Sequence, residues 1–333
     1  MIFLKFLSPV IALTVLIHGP LRSQDMQHYI RLPATFHDAL IFLEPVSEEG
    51  DTLSFFVDTA SGTRLYESSV NRLGLTTTSA IIQGQQQTAA FLPPFDTTNY
   101  IPLPLVTDGL LPVRDDDRMP SHHEVIMGRG DSPLPGRDGV LGSTWFASRC
   151  WRINFREESM FVISSDPKEP PEEMDSETAV PLAFFEEGDR RQYHFAHLNV
   201  VIAGDTLPMV LKTGSNIILS DEAQDALNHP DPLLPAGLIS GSVAERWLDA
   251  NPRWTVIHQA DRLYGGDLIE VPEIRIGPHT AGPVRFAVRR DEDLTEWISQ
   301  FTDESIVGAL GPDAFRDAHI TINYPWSVLI FHD

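Results

Sequence analysis

Two stretches of this chain put opposite charges into the same setting. Residues 50–62, GDTLSFFVDTASG, and residues 204–216, GDTLPMVLKTGSN, agree at six of thirteen aligned positions, and most of the others exchange one apolar residue for another. The exception is Asp58 in the first copy against Lys212 in the second, 154 residues later. Each is followed by small residues, Thr59, Ala60 and Ser61 in one copy and Thr213, Gly214 and Ser215 in the other. A carboxylate and an ammonium among hydroxyls can move protons or fix a polar ligand. Other chemistry is thinly represented. The one cysteine, Cys150, lies in WFASRCWRINF and reads as a buried, inert thiol with no disulfide partner in the chain. His122 and His123, and the HFAH run at 194–197, lack a carboxylate or cysteine at ligand spacing, so no metal and no other cofactor is expected.

The elements that must position these residues repeat as well. LIFLEPVSEEGDTLSFFVDTASG reads as a β-hairpin ending in a small-residue loop, and HLNVVIAGDTLPMVLKTGSN reads the same way. LYESSVNRLGL follows the first loop as a short helix ended by Gly74, and IILSDEAQDAL is its counterpart after the second. Further on, DGVLGSTWFASRCWRINFREESMFVI and ESIVGALGPDAFRDAHITINYPWSVLIF each run from an apolar stretch through a short helix into a strand pair. Gly142 and Gly311 are 169 residues apart, so the second copy holds 15 extra residues between its landmarks. Twelve residues separate Gly142 from Asn154 and also Gly311 from Asn323. Internal duplication accounts for this register.

The 333 residues suffice for two lobes with cores of their own. Apolar residues make up 42% and charged residues 21%, ordinary for a globular chain, while 26 prolines and 22 glycines favour short strands over long helices. The net charge of −23, from 24 basic and 47 acidic residues, argues against a nucleic-acid partner. Residues 1–23 read as a signal peptide, with Lys5 ahead of an apolar run at 6–21 and a cut before Gln24; an uncleaved anchor is the alternative. No later run reaches the roughly 18 apolar residues of a membrane span. Residues 164–179 read as an acidic, proline-rich linker between an N-terminal lobe at 24–163 and a C-terminal lobe at 180–333. A long surface loop is the other reading of that segment.

Each repeated unit resembles a lobe of the pepsin/retropepsin-like aspartic peptidases, in the two-lobed form of an exported bacterial protein. The residues that carry the resemblance are FFVDTASGT with DGVLGSTWF, and MVLKTGSNI with VGALGPDAF. The resemblance covers about residues 38–163 and 193–331. It implies a mainly β fold of two homologous acid-protease lobes, with Asp58 and Lys212 meeting between them, and a covering hairpin for which IIQGQQQTAAF, 81–91, is the candidate. Tyr100 and its aromatic neighbours receive no role.

Two departures from the family pattern bear on function. Ala60 stands where the family has glycine, and Lys212 stands where it has the second catalytic aspartate. The family's chemistry needs two carboxylates sharing a proton and one water. An ammonium at contact distance attracts a carboxylate by roughly 4 kcal/mol at an effective dielectric of about 20, before desolvation is subtracted. Asp58 would then be ionised and a poor base. Three functions follow: a peptide- or protein-binding homologue with a degenerate dyad; an active endopeptidase using Asp58 with Lys212 or another carboxylate, such as Asp205, Asp261 or Asp267; and a structural module.

Overall fold

The computed structural model describes residues 28–82, 85–96, 101, 124–134, 136–164, 177–188 and 190–332. It is a mainly β protein of two homologous lobes. The first-lobe sheet runs, from one edge to the other, through Ala34–His37, Leu40–Leu43, Phe55–Val57, Gly139–Leu141, Arg64–Tyr66, Glu124–Gly128, Gln85–Phe91 and Thr77–Ile82. In the second lobe His197–Ile202, Asp205–Leu211, Gly308–Leu310, Gly237–Ser240, Val284–Arg289, Leu268–Val271 and Thr255–Ile257 follow in the same order as the last seven of these. Directions agree too. Phe55–Val57 lies parallel to Gly139–Leu141, as Asp205–Leu211 does to Gly308–Leu310. The edge differs, because the second lobe closes it with Ile274–Ile276, from later in the chain, where the first uses Ala34–His37.

Local sequence explains the main turns. Asp38 and Ala39 (φ 48° and 68°) join Ala34–His37 to Leu40–Leu43, and Ala203 and Gly204 (φ 53° and 89°) join His197–Ile202 to Asp205–Leu211. Positive φ at both central residues is what a tight two-residue hairpin requires. The helix Glu67–Leu73 stops at Gly74, whose left-handed backbone lets its N–H reach the carbonyls of Asn71 and Val70.

One sequence correspondence is corrected. The helix at IILSDEAQDAL forms, over Asp221–Leu227, but it is not the counterpart of Glu67–Leu73. In the sheets, Leu65 faces Gly139 and Ile239 faces Gly308, so Gly237–Ser240 takes the place of Arg64–Tyr66. The helix after it, Gly241–Ala250, is the structural equivalent. Seven residues separate Asp58 from Leu65 and 27 separate Lys212 from Ile239, so the second lobe makes a twenty-residue excursion here; the later segment is five residues shorter, which leaves the net 15. Both stretches carry the same local helix signal, and only long-range pairing distinguishes them.

A six-stranded sheet joins the lobes, in the order His28–Arg31, Ser159–Ser164, Cys150–Asn154, His319–Asn323, Val328–His332, Ala179–Pro181. Its middle pair is antiparallel and sets Arg152 opposite Thr321, its own counterpart 169 residues on. The duplication is therefore also a pseudo-twofold axis. Ser164 and Ala179, the expected ends of the linker, end and begin strands, and residues 165–176 lie outside the described residues, as do the expected signal segment 1–23 and Tyr100. One apolar core runs through both lobes, with Trp145, Phe146 and Trp151 packed ring against ring beneath this sheet. Cys150 is buried. Among the described residues no helix is long and apolar enough to cross a membrane.

Candidate functional site

Asp58 and Lys212 sit just past the ends of matching strands, and their backbones are held alike. Asp58 N–H donates to Leu141 O and Lys212 N–H to Leu310 O, each at 3.0 Å. The loops then interlock: Thr213 N–H donates to Thr59 Oγ1 (3.0 Å), Thr59 N–H donates to Thr213 Oγ1 (3.2 Å), and Thr59 Oγ1 donates to Leu211 O (2.6 Å). Both threonines are fully buried, so these exchanges satisfy groups that have no water to turn to. A Cβ on Gly214 would lie 2.5 Å from Asp58 Cβ and 2.8 Å from Phe56 Cε1, so only glycine lets the loops approach this closely. Ala60, its counterpart, packs its methyl on the cluster of Val210, Leu294, Ile298, Ile306 and Ala309.

Beyond the backbone the symmetry fails. The Lys212 ammonium donates to Asp58 Oδ2 in a short contact, with Ala60 O at 3.3 Å and Ser61 Oγ at 3.5 Å. Asp58 is 2% exposed and accepts two further bonds, from Ser61 Oγ at 2.6 Å and from Ala60 N–H at 3.1 Å. Burial is the largest single influence on its carboxyl and raises its pKa, but Lys212, Ser61 and Ala60 together outweigh it and hold the group below the ordinary carboxylate value. Ser215, the counterpart of Ser61, is 1% exposed, and its hydroxyl finds no hydrogen-bond partner among the described atoms. It stands where Ser61 stands for Asp58, but the side chain at 212 has crossed to the other lobe.

The arrangement limits the chemistry. Asp58, held below the ordinary carboxylate value, is a weak base with no proton to donate, and Lys212 donates to it, so the pair does not share one proton between two carboxylates. The nearby Ser61–Lys212 pair is no better placed for nucleophilic attack. The Ser61 hydroxyl donates its hydrogen bond to Asp58, while an ammonium facing a carboxylate is not the neutral amine that a serine nucleophile needs as its base.

The other acidic candidates are engaged elsewhere. Asp261 is buried against Arg289, Asp267 bonds His258 and the Gln259 backbone, and Asp205 faces Arg246. His197 is buried beside Asp303 and Glu304, and no group of three or more metal-ligating side chains converges among the described residues. His122 and His123 lie outside the described residues. The candidate covering segment forms an antiparallel hairpin, Thr77–Ile82 with Gln85–Phe91. Sequence reasoning missed Leu233 and Phe195. Leu233 packs against the cluster that contains Phe56, and Phe195 packs against the separate cluster on which Ala60 rests, contacts between distant segments that leave no local signal.

No family model matches this sequence, and no curated protein matches it. Among solved structures, an aspartic proteinase from Irpex lacteus is similar over 91% of this chain and 97% of its own, at 11% identity and a TM-score of 0.49. Conglutin gamma, a basic 7S globulin from lupine seeds, covers 92% and 95% at 8% identity and a TM-score of 0.43. The basic 7S globulin from soybean covers 92% and 94% at 10% identity and a TM-score of 0.45. The two-lobed fold stands on the chain's own repeated topology.

Proposed function

We propose that this chain is an exported relative of the aspartic peptidases that binds an extended peptide or protein segment between its lobes without cleaving it. The observation that carries the reading is the ion pair: the ammonium of Lys212 lies on the buried carboxylate that catalysis would need to share a proton. The retained threonine grip, Gly214 and the idle Ser215 hydroxyl are consistent with a scaffold built for two carboxylates, one of which has been replaced. Export rests on the character of residues 1–23.

Peptidase activity on a mixed peptide library between about pH 3 and 8, the range in which carboxylates and histidines change charge, tests the reading. The native protein should be inactive. Lys212→Asp should gain acid-favoured cleavage, with Ser215 bonding the new carboxylate as Ser61 bonds Asp58. Cleavage by the native protein that vanishes in Asp58→Ala would overturn the reading.

A further inference from the structure

The twenty-residue excursion of the second lobe is rooted beside the ion pair and ends on the opposite lobe. At its base Ala236 N–H donates to Ser215 O (3.2 Å) and Asn216 Nδ2 to Gly214 O (2.8 Å). Asn216–Ile218 then pairs with Leu233–Pro235, with the helix Asp221–Leu227 between them. Its inner face is fixed to its own lobe, where Ile217, Leu219, Ala223 and Leu234 share a small core with Leu268 and Ala287.

The outer face reaches the first lobe. Leu233 packs against the first-lobe cluster of Leu40, Phe42, Phe56, Tyr66 and Val140. His37 Nε2 lies 3.0 Å from Asp231 Oδ2, and His229 Nε2 lies 3.5 Å from Asp38 Oδ2. His37 and Asp38 belong to or adjoin the tight turn at the edge of the first-lobe sheet.

Symmetry shows what this contact covers. Phe56 and Val140 correspond to Val210 and Ala309 at the 154- and 169-residue offsets. In the second lobe that wall is covered by the lobe's own Leu294 and Ile298, with Ala60 of the first lobe packed on the same cluster. In the first lobe the lobe's own Leu134 and Leu233 of the other lobe's excursion pack against the cluster that contains Phe56, two residues before Asp58. Each wall beside the ion pair therefore carries a residue from the opposite lobe, but Ala60 comes from the tight loop after Asp58 whereas Leu233 comes from the twenty-residue excursion.

Resting on the reading that a peptide binds between the lobes, we propose that residues 216–235 form a strap that occupies the first-lobe side of that groove and limits access to it. The firm inner attachment and the exposed His37–Asp231 contact suit a strap that lifts at its far end, because a solvent-exposed polar contact holds only weakly.

His37→Ala combined with Leu233→Ala loosens the far end and leaves the excursion's own core and the ion pair intact. Two readouts separate the strap from the peptide reading: amide hydrogen exchange and retention of the mixed peptide library on the immobilised protein. Exchange should quicken in Leu40–Leu43 and Arg64–Tyr66 and stay unchanged in Gly308–Leu310. Retention should rise about tenfold, the factor expected when the competent state is populated to about a tenth before the change. Equal retention by both proteins, or unaltered exchange in the first-lobe strands, overturns the strap and leaves the peptide reading standing if the library is held. Quickened exchange with no peptide retained by either protein overturns the access role and the peptide reading together.

Discussion

At the scale of single residues, the Asp58–Lys212 pair makes a prediction about acid that separates it from an ordinary surface contact. In the native protein the folded pKa of Asp58 lies below its unfolded value. Its contribution to stability is therefore fully present above the ordinary carboxylate value of about 3.9 and is lost as pH falls through the lowered folded value. Lys212→Met removes the strongest stabiliser of the charge, and burial, the largest influence, then opposes only Ser61 and Ala60. The folded pKa rises, and the sign reverses: stability is retained at low pH and lost as pH climbs. Lys212→Met should cost about 3 kcal/mol at neutral pH, with the deficit shrinking as pH falls towards about 4, by which point the raised carboxyl has taken up its proton. Denaturant titrations of both proteins at the two pH values check this, and a deficit independent of pH would refute it. Gly214→Ala should cost about 1–3 kcal/mol by thermal melting, because its Cβ would collide with Asp58. Ala60→Gly at the matching position should change little, since it removes one methyl from a cluster that keeps its larger members.

At the scale of elements, repeated segments were legible because duplication preserves local pattern: the hairpins, the loops at Asp58 and Lys212 and the strand pairs after Gly142 and Gly311 lie where their sequences indicate. The identity of the two charged partners was equally open to reading, since thirteen aligned residues expose a single charge reversal. What misled was the helix at Asp221–Leu227. Its serine cap, with Ser220 Oγ accepting from Ala223 N–H, is a sound local signal, yet the element belongs to an excursion. Strand register is decided by partners far along the chain, and nothing in IILSDEAQDAL announces that Gly237–Ser240 will take the central place. The orphaned Ser215 hydroxyl was hidden for a related reason: whether a serine is satisfied depends on where a neighbouring side chain points.

For the whole molecule, the lobes are tied by more than the pair at their centre. Arg316 of the second lobe binds Asp38 of the first and also Asp313, which Arg285 grips through two nitrogens at 3.1 and 2.8 Å. The consequences of losing each arginine differ. Asp313 is almost fully buried, and Arg285→Ala removes two of its hydrogen bonds while Arg316 and the backbone N–H of residue 285 still hold it, so about 2 kcal/mol is expected. Arg316→Ala leaves Asp313 satisfied and Asp38 partly hydrated, so about 1 kcal/mol is expected. Urea titrations of the two variants give the comparison. The joining sheet adds a tie of another kind. Its strands come from the beginning, middle and end of the chain, and backbone bonds run unbroken from His28–Arg31 to Ala179–Pro181. Covalent continuity between residues 164 and 177 is thus not what keeps the halves together. A chain cut there should travel as one particle on a sizing column and part into two fragments only under denaturant. Such a two-piece version would let each half be labelled, exchanged or titrated against the other.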